Sequence, residues 1–184
     1  MPAYKNFWSL NTDEAVVTGI LRENTSKNIE VLMPINAQMK DIDLILMNKA
    51  NKKILTVQVK GSRAYEPKKN EIKKFGDGSN GWFWLKKNNI MESSADYFIF
   101  LVYVLEEDHQ KGRRKIMPHT LVIPTKKLQE LCLEYKKIDK SGKYHFYFWV
   151  KSREKIAFEW RNKTYDVSEY LDKNGFEKLN KTLE

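Results

Sequence analysis

Cysteine is almost missing from this chain: Cys132 is the only one in 184 residues. An intramolecular disulfide and a thiolate metal cluster are excluded on that count. Long apolar runs are missing too. No stretch approaches the roughly 18–20 residues that a membrane-spanning helix needs. The opening MPAYKNFWSL lacks the basic-then-apolar pattern of a signal peptide, so the expectation is a cytoplasmic protein with no membrane partner. Histidine is scarce, and His109, His119 and His145 have no ligand-like spacing, so no zinc site is assigned. Internal repeats and low-complexity linkers are absent. A chain of this length is most simply one domain, 1–184, with room for a sizeable core.

What is abundant is charge, and it leans one way. The net charge is +9, which favours a polyanionic partner, nucleic acid before membrane. The excess is concentrated. Between Gln58 and Ile90 stand Lys60, Arg63, Lys68, Lys69, Lys73, Lys74, Lys86 and Lys87 against only Glu66, Glu71 and Asp77. The final stretch from Arg161 to Glu184 is balanced by comparison, with five basic and five acidic residues.

Hydropathy patterning predicts the elements. Asn11 to Glu23 reads as a capped helix in which Glu14, Val17 and Leu21 share a face. Ile29 to Met33 reads as a short strand ended by Pro34. A hairpin follows, pairing Asp43–Leu46 with Ile54–Lys60. Pro67 to Gly81 is polar and glycine-bearing, which predicts an exposed loop. Trp82–Leu85 is predicted as a strand, and Ala95 to Val104 (ADYFIFLVYV) as a buried one. A charged turn over Glu106–Arg114 leads to a strand at Thr120–Pro124. Thr125 then caps a helix carrying Leu128, Leu131, Cys132 and Tyr135 on one face. Tyr144 to Val150 is an aromatic strand, read as core on one face and an interface or sheet edge on the other. The tail from Val167 to Leu183 is helical.

The chemistry gathers at the hairpin, DIDLILMNKANKKILTVQVKGS. Strand alternation puts Gln58 and Lys60 on one face, and the turn brings Asp43 beside them. A carboxylate, an amide oxygen and an ammonium at one end of a hairpin suit metal-assisted attack of water on a phosphodiester. Each residue also has a plain structural role to offer. Glu14 stands three residues after Asn11 and can complete a capping box. Asp43 can be a strand-end surface carboxylate, and Asp41 shares its face and competes with it. Lys60 alone is an ordinary strand-end lysine. Gln58 is harder to explain away, because burying an unpaired amide costs a few kcal/mol. In the basic segment, Lys68 to Lys87 suit phosphates as well as a solvated face. Trp82, Trp84 and Tyr65 are available to stack on bases, though the tryptophans fit half-buried strand aromatics better.

An Asp, a variable spacer and then (D/E/Q)-x-K on the next strand resembles the signature of the PD-(D/E)XK nuclease superfamily, here Asp43, Gln58 and Lys60. Ser62 fits the small polar residue that often follows the lysine there. Glu14 matches the acidic residue that the superfamily often carries on its first helix. The resemblance covers roughly residues 9–135, with the aromatic strand and last helix as an extension. It departs in Gln58, which resembles the Q-x-K subgroup that includes Mrr-type restriction nucleases and some homing endonucleases. The resemblance implies a restriction-endonuclease-like α/β/α sandwich with a mixed central sheet. It also implies a DNA endonuclease using Mg²⁺, or Mn²⁺ in its place. Asp43, Gln58 and Glu14 would serve the metal and Lys60 the attacking water. Ser62, Arg63, Lys68, Lys69, Lys73, Lys74, Lys86 and Lys87 would face DNA. Cutting both strands of a duplex favours a two-fold homodimer. Two other readings stand beside it: an inactive nucleic-acid-binding protein on the same fold, and a protein-interaction module with a basic face.

Overall fold

A strand sends successive side chains to opposite faces, so an unbroken apolar run is satisfied only where both faces are covered. The computed structural model, which describes residues 12–34, 41–108 and 113–184, puts ADYFIFLVYV in such a strand. Phe98, Phe100, Val102 and Val104 enter one hydrophobic cluster, while Tyr97, Ile99 and Leu101 enter a second. In chain order the elements are α1 (Thr12–Asn24), β1 (Ile29–Leu32), β2 (Leu44–Asn48), β3 (Ile54–Gly61), α2 (Lys69–Phe75), β4 (Ser79–Lys86) and α3 (Lys87–Met91). There follow β5 (Tyr97–Asp108), β6 (Arg113–Pro124), α4 (Thr125–Tyr135), β7 (Lys143–Lys151), β8 (Ile156–Glu159), β9 (Tyr165–Asp166) and α5 (Asp172–Leu183).

The chain is an α/β protein built on a mixed five-stranded sheet, in the order β1-β2-β3-β5-β6. The first three strands are an antiparallel meander, β5 runs parallel to β3, and β6 returns antiparallel. α1 and α5 cover one face through Val17, Leu21, Phe176, Leu179 and Leu183. On the other face the expected helical layer is only partly present. α4 packs there through Leu128 and Cys132, but most of the cover comes from a second, antiparallel sheet, β4-β7-β8-β9. The reason is periodicity. Phe83 and Leu85 of β4, and Tyr144, Phe146, Phe148 and Val150 of β7, alternate with polar or aromatic residues, and all six are buried. Gly81 lets the two sheets close: a Cβ there would fall 2.7 Å from Val102 Cγ2.

Several local expectations are corrected. The predicted loop Pro67–Gly81 holds α2 and the first residues of β4. α2 is too short to show a periodicity; it is held by Phe75 against Trp149, Phe158 and Trp160, and by Glu71, which accepts a hydrogen bond from Lys68 N–H. The predicted turn Glu106–Arg114 is narrower, because β5 continues to Asp108 and β6 begins at Arg113. A ladder tolerates charge when opposite signs face each other, as Glu106 and Lys115 do at 3.4 Å. Thr125 does not cap α4; it is the first helical residue and its hydroxyl donates to Ala95 O at 2.6 Å. β7 is no sheet edge, since β4 and β8 flank it. Asn11, the opening residues and His109 lie outside the described residues. Among the described residues no helix is long and apolar enough to cross a membrane.

Candidate active site

The hairpin of β2 and β3 forms with Leu44 opposite Val57 and Ile45 opposite Thr56. Val57 and Val59 belong to the cluster under α1 and α5, so Gln58 and Lys60 face the other way, toward the second sheet. Asp43 precedes β2 by one residue. Its N–H donates to Val57 O at 2.9 Å and its Oδ2 accepts from Val59 N–H at 2.7 Å. The carboxylate thus adds a rung to the ladder where the backbone of β2 has not yet begun. Lys60 Nζ lies 4.0 Å from the same Oδ2, with the two side chains 25% and 23% exposed. A pair this open and this loose is worth at most about 1 kcal/mol.

Gln58 is 3% exposed. Its Nε2 reaches Asp41 Oδ1 at 3.4 Å, and its Oε1 is buried with no partner among the described residues. A buried acceptor without a donor costs about 1–3 kcal/mol. Asp41 has a φ of 70°, a left-handed conformation that Asp tolerates better than most residues. Asp41 and Asp43, rivals in the sequence, are therefore both at the site, one on the amide and one on the ammonium.

On the other face α1 brings its N-terminus over the end of β3. The residue that touches the strand is Asp13: a Cβ on Gly61 would fall 1.9 Å from Asp13 Oδ2. Tyr103 Oη donates to Asp13 Oδ1 at 3.2 Å, and burial followed by the Asp13 charge raises the Tyr103 pKa above its ordinary value. Glu14, the sequence candidate, is the neighbouring residue on α1 and is half-buried. Sequence reading passed over Asp13; the available signal was the glycine that follows Lys60, which marks a close approach. Ser62 Oγ accepts from Trp82 N–H at 2.9 Å and donates to Arg63 O, so it ties β3 to β4. Asp13, Gly61, Ser62, Arg63 and Tyr103 line a shallow open hollow beyond the strand end.

The basic residues do not form one loop. Lys68, Lys69, Lys73 and Lys74 are exposed on and before α2, which packs over Trp149 at one end of β4; Lys86 and Lys87 are exposed at the other end. Eight residues of strand separate the groups, about 23 Å at ~3.3 Å per residue. Trp82 and Trp84 are strand aromatics on the outer face of the second sheet, and Trp84 is 50% exposed. His119 and His145 each pair with a carboxylate, Asp172 at 2.7 Å and Asp139 at 2.6 Å.

Among the described residues no group of three or more His, Cys, Asp or Glu is placed to hold a metal. The set that fits a hard cation is a mixed one. Mg²⁺ takes oxygen ligands and keeps several waters. The Gln58 amide, whose Oε1 has no partner among the described residues, and the carboxylates of Asp41 and Asp43 make a donor set of that kind. Comparison of the chain with protein-family models, curated proteins and solved structures gave no match.

Proposed function

We propose that this chain is a metal-dependent DNA endonuclease of the PD-(D/E)XK type, a Q-x-K variant acting in restriction, defence or repair. The observation that carries the reading is the convergence of Asp43, Gln58 and Lys60 at one hairpin mouth, with Gln58 Oε1 buried and without a partner among the described residues. The β1–β3 meander, its parallel partner β5 and the helix α1 are in keeping with a restriction-endonuclease-like core. The net charge of +9 suits a nucleic-acid substrate.

Asp43 and Gln58 would hold Mg²⁺, or Mn²⁺ in its place, with Asp41, beside the Gln58 amide, binding its waters; Glu14 lies on α1, which packs on the opposite face of the sheet. The bound ion would lower the pKa of the attacking water and neutralise non-bridging phosphate oxygens. Lys60, four ångströms from Asp43, is near enough to direct a water at phosphorus, or to offset the charge that gathers on the pentavalent transition state. Arg63 follows, exposed at the strand end, where a phosphate could be held; Ser62 is buried, its hydroxyl engaged with Trp82 N–H and Arg63 O. A second reading is an inactive DNA-binding protein on the same fold, and one observation favours it: Gln58 supplies no charge where a carboxylate would bind metal more strongly.

Plasmid nicking decides between them. Wild-type protein with Mg²⁺ or Mn²⁺ should cut and EDTA should stop it. Lys60→Ala should lose about 10²–10⁴ in rate while still binding DNA. Equal cutting by Lys60→Ala would remove the site from the mechanism; DNA binding with no cutting in either metal would leave the inactive reading.

A further inference from the structure

The outer face of the second sheet carries a row of rings that nothing in the nuclease chemistry uses. β4 and β7 pair Trp84 with His145 and Trp82 with Tyr147 on that face, and Trp160, just past the end of β8, donates its backbone N–H to Tyr147 O. Trp82 stacks on Tyr147 at 5.4 Å and 22°, meets Trp84 edge-on at 4.8 Å and leans toward Tyr65 at 6.2 Å. Phe75 of α2 covers Trp149, Phe158 and Trp160, leaving Trp84 half-exposed with Trp82 and Tyr147 half-buried beside it. A lone exposed ring is ordinary, but a cluster of rings that reaches the surface at Trp84 with a polar rim marks an interaction site.

The rim says what does. Lys86 and Lys143 face each other at one end of the row, the lysines of α2 stand at the other, and the Arg161 guanidinium lies 5.1 Å over the Tyr147 ring. The Asp139 carboxylate beside the row is bound to His145. Aromatic faces bordered by cations suit a polyanion that also carries flat rings. Within a duplex each base is already stacked on its neighbours, so a sheet of indoles can stack only on unpaired bases.

We propose that the Trp82–Trp84–Tyr147 face binds unpaired nucleotides of a single-stranded nucleic acid, with Lys86, Lys143 and Arg161 on its phosphates. The proposal rests on the nuclease reading for the class of polymer and deepens it by naming the form. The route to the candidate active site is short. Trp82 N–H donates to Ser62 Oγ at 2.9 Å, and Ser62 follows Lys60 by two residues. A strand laid across the rings would enter the site as a single strand or at a junction between single strand and duplex.

The test is quenching of intrinsic fluorescence by oligothymidylate and by a duplex of equal length, with the full chain in EDTA so that nothing is cut. Single strand should bind more tightly than duplex. Trp84→Ala, at a half-exposed position, should weaken single-strand binding about 5-fold or more while leaving the urea midpoint near the wild type's, and Trp84→Phe should retain most of the binding. Unchanged affinity in Trp84→Ala, or tighter binding of duplex, overturns the proposal. So does a dimer in sedimentation that Trp84→Ala dissolves, which would give the face to a second copy. The two readings fail separately. Tryptophan-dependent binding without metal-dependent cutting sinks the nuclease and keeps the platform; Lys60-dependent cutting with indifferent Trp84→Ala does the reverse.

Discussion

Two lysine–carboxylate pairs in this molecule use the same side-chain chemistry to different ends. Lys136 and Glu159 sit under the second sheet at 2.7 Å, both side chains fully buried. Glu159 Oε1 also accepts from the N–H groups of Tyr147 and Arg161, and Lys136 Nζ lies 4.8 Å over the Phe146 ring. Burial lowers the Lys136 pKa from its ordinary value against the pull of Glu159, and pushes the neighbouring Cys132 thiol up to about 12. Lys60 and Asp43 are open to solvent at 4.0 Å, next to an amide oxygen with no partner among the described residues. A sealed pair is committed to the fold. Since Glu159 Oε2 also lacks a partner among the described residues, exposure is what separates the pairs, and only the partly exposed one can be reached by a ligand.

Breaking the sealed pair should have the largest effect on folding. Lys136→Met leaves Glu159 charged, buried and without its cation, at a cost of about 3–5 kcal/mol read from the urea midpoint. Gly61→Ala comes next, at about 1–3 kcal/mol, since the new methyl must displace the Asp13 carboxylate and its bond from Tyr103. An Asp13→Ala background should absorb most of that cost; an equal loss there would place the strain in the backbone instead. Gln58→Glu sharpens the open site. A second carboxylate beside Asp41 asks for a cation, so Mg²⁺ should stabilise this variant, by about 1.4 kcal/mol at tenfold excess over its Kd, and raise its melting temperature more than the wild type's. Lys60→Ala, by contrast, should change stability by less than about 1 kcal/mol, even as it removes cleavage.

The smallest effect expected is one of pH. Hydrogen bonds from His145, then from the Lys143 amide and the Ser141 hydroxyl, hold the Asp139 carboxyl below the usual carboxylate range. The native state therefore favours the ionised form. Its contribution is present above the unfolded value of 3.8 and is lost as the pH falls below it toward the lower native value. The stability gap between wild type and Asp139→Asn, followed by urea unfolding, should close as the solution is acidified through that window. A gap unchanged by acid would assign the role to packing.

Much of the first sheet was legible because its signals are local. Apolar runs marked both strands of the hairpin and singled out Ala95–Val104 as buried, and strand alternation put Gln58 and Lys60 on one face. α2 was not legible, because a seven-residue helix anchored by Phe75 has no period to read. β8 and β9 were missed for the same reason, being four and two residues long. At the site, Gln58 stood out as a polar residue between valines. Asp13 did not, since its role depends on α1 passing within contact of Gly61, and no spacing in the sequence measures that approach.

The sequence by itself determined which residues alternate, where charge accumulates and that a carboxylate, an amide and an ammonium meet at one hairpin, because these follow from periods of a few residues. Only the tertiary structure decided that a second sheet covers most of the face expected to carry helices, that the basic segment divides to either end of an aromatic row, and that Lys136 is sealed while Lys60 is open. Those outcomes depend on which surfaces are buried against each other, and burial is settled between elements far apart in the chain.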